Sequence, residues 1–424
     1  MDRERIGSIL AGLYGESRER RAATDKELNE MILGGLSTEE ACMLIKAAAK
    51  QDPREQFWFY NAQHRIVFAF LRTAKEEYIS SYLEIFPSLM DNAKLMVLQT
   101  LALLKTKKSA EAFMELLRRH VASGELRDLS FATVDLQKTP IYPEIFFPEI
   151  LSYARAPDFS WEISNMAAHY IKRGMLDPRS LAPYGPQLLV AYNEYRKRLL
   201  ALKERIEKGE ADREEYSQDS ARAEVILELL GYIPGDAVEK SLREGIDSGD
   251  AHTMLWAVVS LLRQGKEVDP KHVEVVAADA ETRNLLYDQL QQLKKTKLFP
   301  KKYRTQEAFA ESQLVNWLTF PTELGRAPDA IELVKVVSED VGGDDGILDL
   351  YLFKFRCESE PWKENGWMAG VAGAYRRKDA PTTTSRGCTF SEMEPWESKT
   401  PEQHVNDTIQ YLADLADLTK KGKR

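Results

Sequence analysis

The histidines are the side chains in this sequence that would first suggest metal chemistry. No two of the six stand three or four residues apart, the spacing that places two imidazole ligands on one face of a helix. The sequence therefore predicts no helical metal site. The histidines are His64, His120, His169, His252, His272 and His404.

A thiol and base pair is the covalent chemistry that the C-terminal region could support. Cys388 could act as a nucleophile with His404 as its base if the fold brings the two side chains together. Glu392 and Glu394 stand two residues apart on a predicted strand, where they would share one side and could differ in pKa. A core cysteine and an exposed strand face explain these residues more simply. We therefore expect no catalytic residue.

Glycines between two predicted strands could suggest a phosphate or calcium loop. The chain has no GxGxxG or GxxxxGK(S/T) motif, and acidic neighbours would repel a phosphate. The ligand positions of an EF-hand are also incomplete. The sequence therefore predicts a turn here and no cofactor. The residues concerned are Gly342, Gly343, Asp344, Asp345 and Gly346.

Aromatic and basic residues cluster near the C-terminal end, and Trp, Tyr and Arg dominate binding hot spots. Gly370 and Gly373, within the same predicted strand, would let another backbone or a ligand approach closely, although β-bulges explain such glycines equally well. We expect at least two of the aromatic side chains to serve as core. The candidate contact residues are Trp362, Trp367, Tyr375, Arg376 and Arg377.

A second candidate contact lies in a helix predicted over residues 55–73. At about 100° per residue, Trp58 falls near Arg65 on a helical wheel, away from the apolar face. Trp58 and Arg65 are therefore candidate binding residues. The alternative is that a neighbouring helix covers Trp58.

A repeat organises the elements that would position these residues. Three aspartates, 31 and 29 residues apart, each precede an apolar run of helical period, and an Asp is a favourable helix N-cap. The seventh and eighth positions of each run are apolar, as a buried helix face requires. The repeated aspartates are Asp219, Asp250 and Asp279, and Asp91 begins a similar run.

The pattern changes after residue 327. Residues 331–337 and 347–357 are rich in β-branched and aromatic residues around a turn, which predicts a hairpin, and 366–375 and 387–396 are further strand candidates. Thr400 and Gln403 form a capping-box signal for one last helix. We therefore predict a helical domain over 1–327 and a small α+β domain, an antiparallel sheet plus one helix, over 328–424.

The helix pairs over about residues 30–325 resemble HEAT-like repeats of the bacterial kind. This resemblance implies an α-solenoid of antiparallel helix pairs with a curved binding surface, and it implies no particular reaction.

The composition of the chain limits the classes of function that we expect. A net charge of −9 argues against binding to nucleic-acid phosphates, and no apolar run approaches the ~18 residues of a membrane helix. The charged first residues and the odd number of cysteines favour a cytoplasmic location. We expect a non-catalytic scaffold or adaptor that binds another protein, such as a bacterial immunity or regulatory protein. The alternatives are an enzyme or ligand-binding protein with a pocket where solenoid and sheet meet, and a nucleic-acid-binding repeat protein.

Overall fold

A computed structural model describes most of the chain, which forms two compact units, Met1–Ser241 and Leu242–Arg424. The fold is mainly helical with one small antiparallel sheet. In the described part, no helix combines the length and the apolar character needed to cross a membrane. The described residues are 3–15, 17–50, 61–121, 129–155, 157–208, 210, 213–320, 322–340, 346–358, 362–377, 388–390 and 394–410.

The first unit is built from helices. They are α1 (Arg3–Leu13), α2 (Arg18–Leu33), α3 (Thr38–Ala47), α4 (Ala62–Ala69), α5 (Ile79–Ile85), α6 (Asp91–Leu104), α7 (Lys107–His120), α8 (Ser130–Lys138), α9 (Pro143–Phe146), α10 (Pro157–Lys172), α11 (Gly185–Glu207) and α12 (Arg213–Leu230). Helix α13 (Asp236–Ile246) spans the division between the units.

These helices pack in two rows. Each of the helices α2, α4, α6, α8, α10 and α12 contacts the next one in that series, and α1, α3, α5, α7 and α9 do the same. Polar side chains link neighbours in the first row: Arg65 lies 3.3 Å from Asp25, and Gln99 donates to Asp135 at 2.9 Å. The polar links join α2 to α4 and α6 to α8.

Two of the three repeated aspartates begin helices as predicted. The Asp250 carboxylate accepts from the Thr253 N–H, and the Asp279 carboxylate accepts from the first-turn N–H groups of its helix. The prediction for Asp219 is wrong, because α12 begins at Arg213 and this residue lies inside it. Its buried carboxylate instead binds Arg198, with 2.8 Å between Nε and Oδ2.

The buried face of the repeat is confirmed. All six residues at the seventh and eighth positions are buried: Ile226, Leu227, Ala257, Val258, Leu286 and Tyr287. The continuous helix predicted over 55–73 is wrong. Asn61 is extended and caps α4 through its side chain, so that helix runs only from Ala62 to Ala69.

The second unit contains helices followed by a four-stranded antiparallel sheet in the order β1-β2-β3-β4. Its elements are α14 (Ala251–Arg263), α15 (Pro270–Ala278), α16 (Ala280–Gln292), α17 (Gln306–Leu318), β1 (Ala330–Asp340), β2 (Ile347–Arg356), β3 (Trp367–Arg376), β4 (Cys388–Phe390) and α18 (401–410). The predicted hairpin and the third strand are confirmed.

The sheet is covered on both faces. Helix α17 packs on one face, where Leu314 meets Phe353 and Phe355, and the other face carries Leu350 and Val405 in a second apolar cluster. The predicted capping box of α18 is confirmed, since Thr400 and Gln403 exchange hydrogen bonds between side chain and backbone.

Candidate binding cleft

A cleft of about 500 Å³ opens in the first unit between α2, α4 and α6. Pockets of about 300–1,000 Å³ commonly hold small-molecule ligands. Its lining residues are Asp25, Asn29, His64, Arg65, Phe68, Leu71, Asn92, Leu95, Met96 and Gln99. Side chains from three successive helices of one row, together with Leu71 from the turn after α4, therefore form this cleft.

An aromatic pair forms part of the cleft wall. His64 and Phe68 stand one turn apart on α4, and their rings stack with centroids 5.7 Å apart. Phe68 is 54% exposed although it is a large apolar side chain. Exposed apolar surface around a formed cleft is typical of a binding site.

The titratable side chains that line the cleft give it little net charge. Burial lowers the pKa of His64, and the neighbouring Arg65 cation lowers it further, although Asp25 opposes both effects. The imidazole is therefore neutral at neutral pH. Arg65 and Asp25 form an ion pair at 3.3 Å in which the arginine side chain is mostly buried.

The lining combines apolar surface with a few polar groups, as ligand-binding pockets do. Leu71, Leu95 and Met96 supply apolar surface, and the amides of Asn92 and Gln99 supply hydrogen-bonding groups.

An apolar stripe continues from the cleft along the same row of helices. Leu33 on α2, Phe68 on α4 and Leu103 on α6 each come four positions after a residue that lines the cleft. Four positions correspond to about one helical turn. Val134 on α8, the next helix of the row, directly precedes Asp135, which accepts from the cleft residue Gln99. All four side chains are exposed. We call these four residues the apolar stripe.

The two candidate residues predicted for this region have different outcomes. Arg65 lines the cleft, and Trp58 lies outside the described residues. Phe68 was not predicted as a binding residue. The sequence does contain a signal for it, because Phe68 stands 35 residues after Leu33 and 35 residues before Leu103.

The candidate tryptophans of the second unit already contact their own sheet. Trp367 lies beneath two cations, with Lys354 Nζ 4.6 Å and Arg356 Cζ 5.1 Å from its ring centroid. Trp362 is partly buried against the cluster between α17 and the sheet. These aromatic rings therefore stabilise the unit.

Tyr375 and the strand glycines also make close contacts within the unit. Tyr375 is buried, and its hydroxyl donates to Gln313 of α17. A Cβ atom on Gly370 would stand 3.0 Å from the Leu314 side chain, so that glycine admits α17. Gly373 has a φ of +138° at the bulge between β2 and β3. The close approach at both glycines is thus internal.

The two candidate arginines at the end of β3 differ in exposure. Arg376 is partly exposed, and its carbonyl oxygen accepts from Gln306 at 2.9 Å. Arg377 is exposed but binds the buried Asp349 carboxylate with both Nε and Nη2, at 3.0 and 2.6 Å. Burial alone would raise the pKa of Asp349, but hydrogen bonds from Arg377 and Ser338 outweigh it and hold that pKa below its ordinary value.

Replacing Arg377 with glutamine should make the second unit more sensitive to acid. Because Asp349 has a lowered pKa in the folded state, its stabilising effect is present above about pH 4 and is lost as the pH falls through the folded pKa. Without Arg377, burial would raise that pKa and the loss would begin at a higher pH. Thermal unfolding between about pH 3 and pH 7 measures this shift.

Arg356→Gln provides the control, because Arg356 is an exposed arginine whose partner Glu358 is also exposed. The pH dependence of its thermal unfolding, its acid profile, should match that of the unchanged protein. Matching profiles for all three proteins would contradict the role assigned to Arg377.

The residues considered for catalysis are only partly described. His404 is buried, stacks on Trp396 and lies 3.2 Å from its carbonyl oxygen through Nε2. Glu394 forms an ion pair with Lys399 at 2.7 Å. Glu392 and the side chain of Cys388 lie outside the described residues.

Comparison with known proteins adds no identification: the chain matches no protein family, no curated protein and no solved structure at a significant level.

Proposed function

We propose that this chain is a non-catalytic protein-binding scaffold or adaptor, and that the cleft with the apolar stripe is its contact surface. The observation that carries the proposal is Phe68, a half-exposed aromatic side chain on the wall of a formed cleft. Aromatic anchors beside pockets commonly supply most of the binding energy of an interface.

The proposal includes a HEAT-like solenoid in the helical region. The two rows of successively contacting helices in the first unit support it, because stacked helix pairs would produce that order of contacts. Repeats of this kind present one row of helices as an extended binding surface. We also propose a cytoplasmic location and a regulatory or immunity role in a bacterium.

A second candidate function is the binding of a small ligand in the same cleft. The volume of about 500 Å³ favours it, together with apolar walls and a few amide groups. A small ligand would fill the cleft and leave Leu103 and Val134 of the stripe uncovered. We therefore place this candidate second.

Replacing Phe68 with serine should remove a protein partner that the unchanged chain retains from an extract of its native cells. The full-length chain, immobilised, is compared with this variant, and retained proteins are quantified by mass spectrometry. We expect at least about tenfold less of one stoichiometric protein, since the buried area of a phenylalanine is worth that much affinity.

Val190→Ser is the matched control. Val190 is 59% exposed on α11 of the same unit, close to the 54% of Phe68, but lies outside the stripe. Retention should be unaffected by this change. If no stoichiometric protein is retained, or if both variants lose it equally, the proposed function or its surface is wrong.

A further inference from the structure

We propose that the apolar stripe and cleft bind one acidic, amphipathic helix of a partner protein, laid across α2, α4, α6 and α8. This inference rests on the proposed function and names the class of partner. The helix would place one apolar side chain against each of the four helices, with the largest in the cleft beside Phe68.

The spacing of the stripe selects a helix over an extended segment. Helices in contact lie about 8–10 Å apart, and α2, α4, α6 and α8 contact one another in series. Two helical turns, or about seven residues, advance about 10.8 Å and return a side chain to the same face. Residues about seven positions apart in the bound helix would thus meet successive members of the stripe.

An extended strand does not match this spacing. Three strand residues advance about 10 Å, but successive side chains alternate, so the third residue points away from the surface. Two residues advance about 6.6 Å and four about 13 Å, and both distances miss the next helix. A strand could therefore place its side chains on alternate helices at best.

Charges beside the stripe select an acidic partner. An exposed cation follows the stripe residue of α4, of α6 and of α8 within four residues of the sequence, at or just beyond the C-terminal end of each helix. These cations are Arg72, Lys105 and Lys138. Lys105 donates to the Thr139 hydroxyl at 3.4 Å, and because that partner is neutral, the charge of the lysine stays uncompensated by this contact.

Two acidic residues near this face have a cationic partner. Asp25 pairs with Arg65, and Glu30 pairs with Lys26 at 3.8 Å. Asp135 accepts from the neutral Gln99, so that contact leaves its charge uncompensated. The three exposed cations outnumber this carboxylate and give the rim of the stripe a positive balance, which an acidic helix complements.

The geometry also favours a helix over an anionic membrane, which would meet the same cations and apolar residues. A lipid bilayer presents a broad surface and would leave a recessed cleft unfilled, whereas a side chain projecting from a helix can enter it. The cleft opens beside a central residue of the stripe, Phe68.

A synthetic peptide tests the proposal with the full-length chain. The probe is a fluorescein-labelled peptide of about 21 residues with Leu, Phe and Leu about seven residues apart, Glu beside them and Ala or Gln elsewhere. Fluorescence anisotropy measures its affinity. We expect binding that weakens about tenfold in Phe68→Ser, is unchanged in Val190→Ser and falls as salt is raised.

Three further measurements have outcomes that would contradict the proposal. A peptide of the same composition with the apolar residues about five apart would scatter them around the helix, and equal binding by it contradicts the spacing argument. Binding to phosphatidylglycerol vesicles without binding to the peptide would identify a membrane as the occupant. Self-association in sedimentation that Phe68→Ser abolishes would identify a second copy.

The capture experiment and the peptide experiment fail independently. If a protein is retained through Phe68 but the peptide does not bind, the proposed function stands and the acidic helix is wrong. If neither a protein nor the peptide binds, both proposals are wrong.

Discussion

Replacing Arg283 with methionine should lower the free energy of unfolding of the Leu242–Arg424 unit by about 3–5 kcal/mol, the cost of removing one partner from a buried charged network. The Arg283 side chain is only 4% exposed and lies at the start of α16. It donates to the carbonyl oxygens of Ala277 and Ala278 at the end of α15, at 2.9 and 3.0 Å.

The same guanidinium also reaches α17. It donates to the Ala308 carbonyl oxygen and to the Glu311 carboxylate, both at 2.7 Å. Methionine would match much of its volume but would leave these acceptors without their donor in a buried setting. Three helices would lose their common polar contact, so the effect should exceed that of an ordinary surface substitution.

Hydrogen exchange is the suitable measurement, because a chain of two units need not unfold in one step. Amides of α16 and α17 should exchange faster in Arg283→Met. Lys302→Met is the control: its ion pair with Glu274 also spans 2.7 Å, but Lys302 is 57% exposed, and an exposed pair adds little. Equal protection in both variants would show that burial of Arg283 is not what stabilises the unit.

The starts of these helices show which structural features can be predicted from neighbouring residues in the sequence. Asp250 and Asp279 cap helices because their carboxylates need only the N–H groups next to them in sequence. Asp219 has the same local pattern, but Arg198 from α11 engages its carboxylate and the helix starts earlier, at Arg213. A contact across 21 residues cannot be read from the local pattern.

The sheet was predicted more completely than the cleft. Alternating β-branched and aromatic residues fix a hairpin because the signal and the structure have the same period of two. The exposure of Phe68 depends instead on where α2 and α6 lie beside α4, which is a property of three separate segments. The ion pair of Arg65 with Asp25 joins two of them and has no local signal either.

The candidate residues of the C-terminal region illustrate a different limit of prediction from sequence, which concerns residue type. Trp367 and Tyr375 have the residue types of binding hot spots, but the same large apolar areas serve a small unit equally well as core. Residue type alone does not distinguish the two uses. In the folded unit both side chains have internal partners, since Tyr375 meets Gln313 of α17 and Trp367 meets Lys354 and Arg356.

Replacing Gly373 with alanine should destabilise the second unit by about 3 kcal/mol. At a φ of +138° the backbone is in a region that residues with a side chain rarely adopt, at a cost of about 1–3 kcal/mol. The new Cβ would also stand 2.7 Å from the Asp349 carbonyl oxygen, so the β2 backbone would have to move. That movement would disturb the Asp349 carboxylate, which binds Arg377 and Ser338.

Gly366→Ala separates the steric cost from the conformational cost. Gly366 has a φ of +61° and a ψ of −134°, which residues with a side chain rarely adopt, but a Cβ there would meet no atom within 4 Å, so its replacement should carry the conformational cost alone, about 1–3 kcal/mol. Hydrogen exchange of β2 and β3 should show a larger loss of protection for Gly373→Ala, together with acid sensitivity like that of Arg377→Gln. If the two glycine variants were equally stable, the close approach at Gly373 would not matter for folding. If Gly373→Ala were less stable but kept its acid profile, the bulge would position the strands without positioning Asp349.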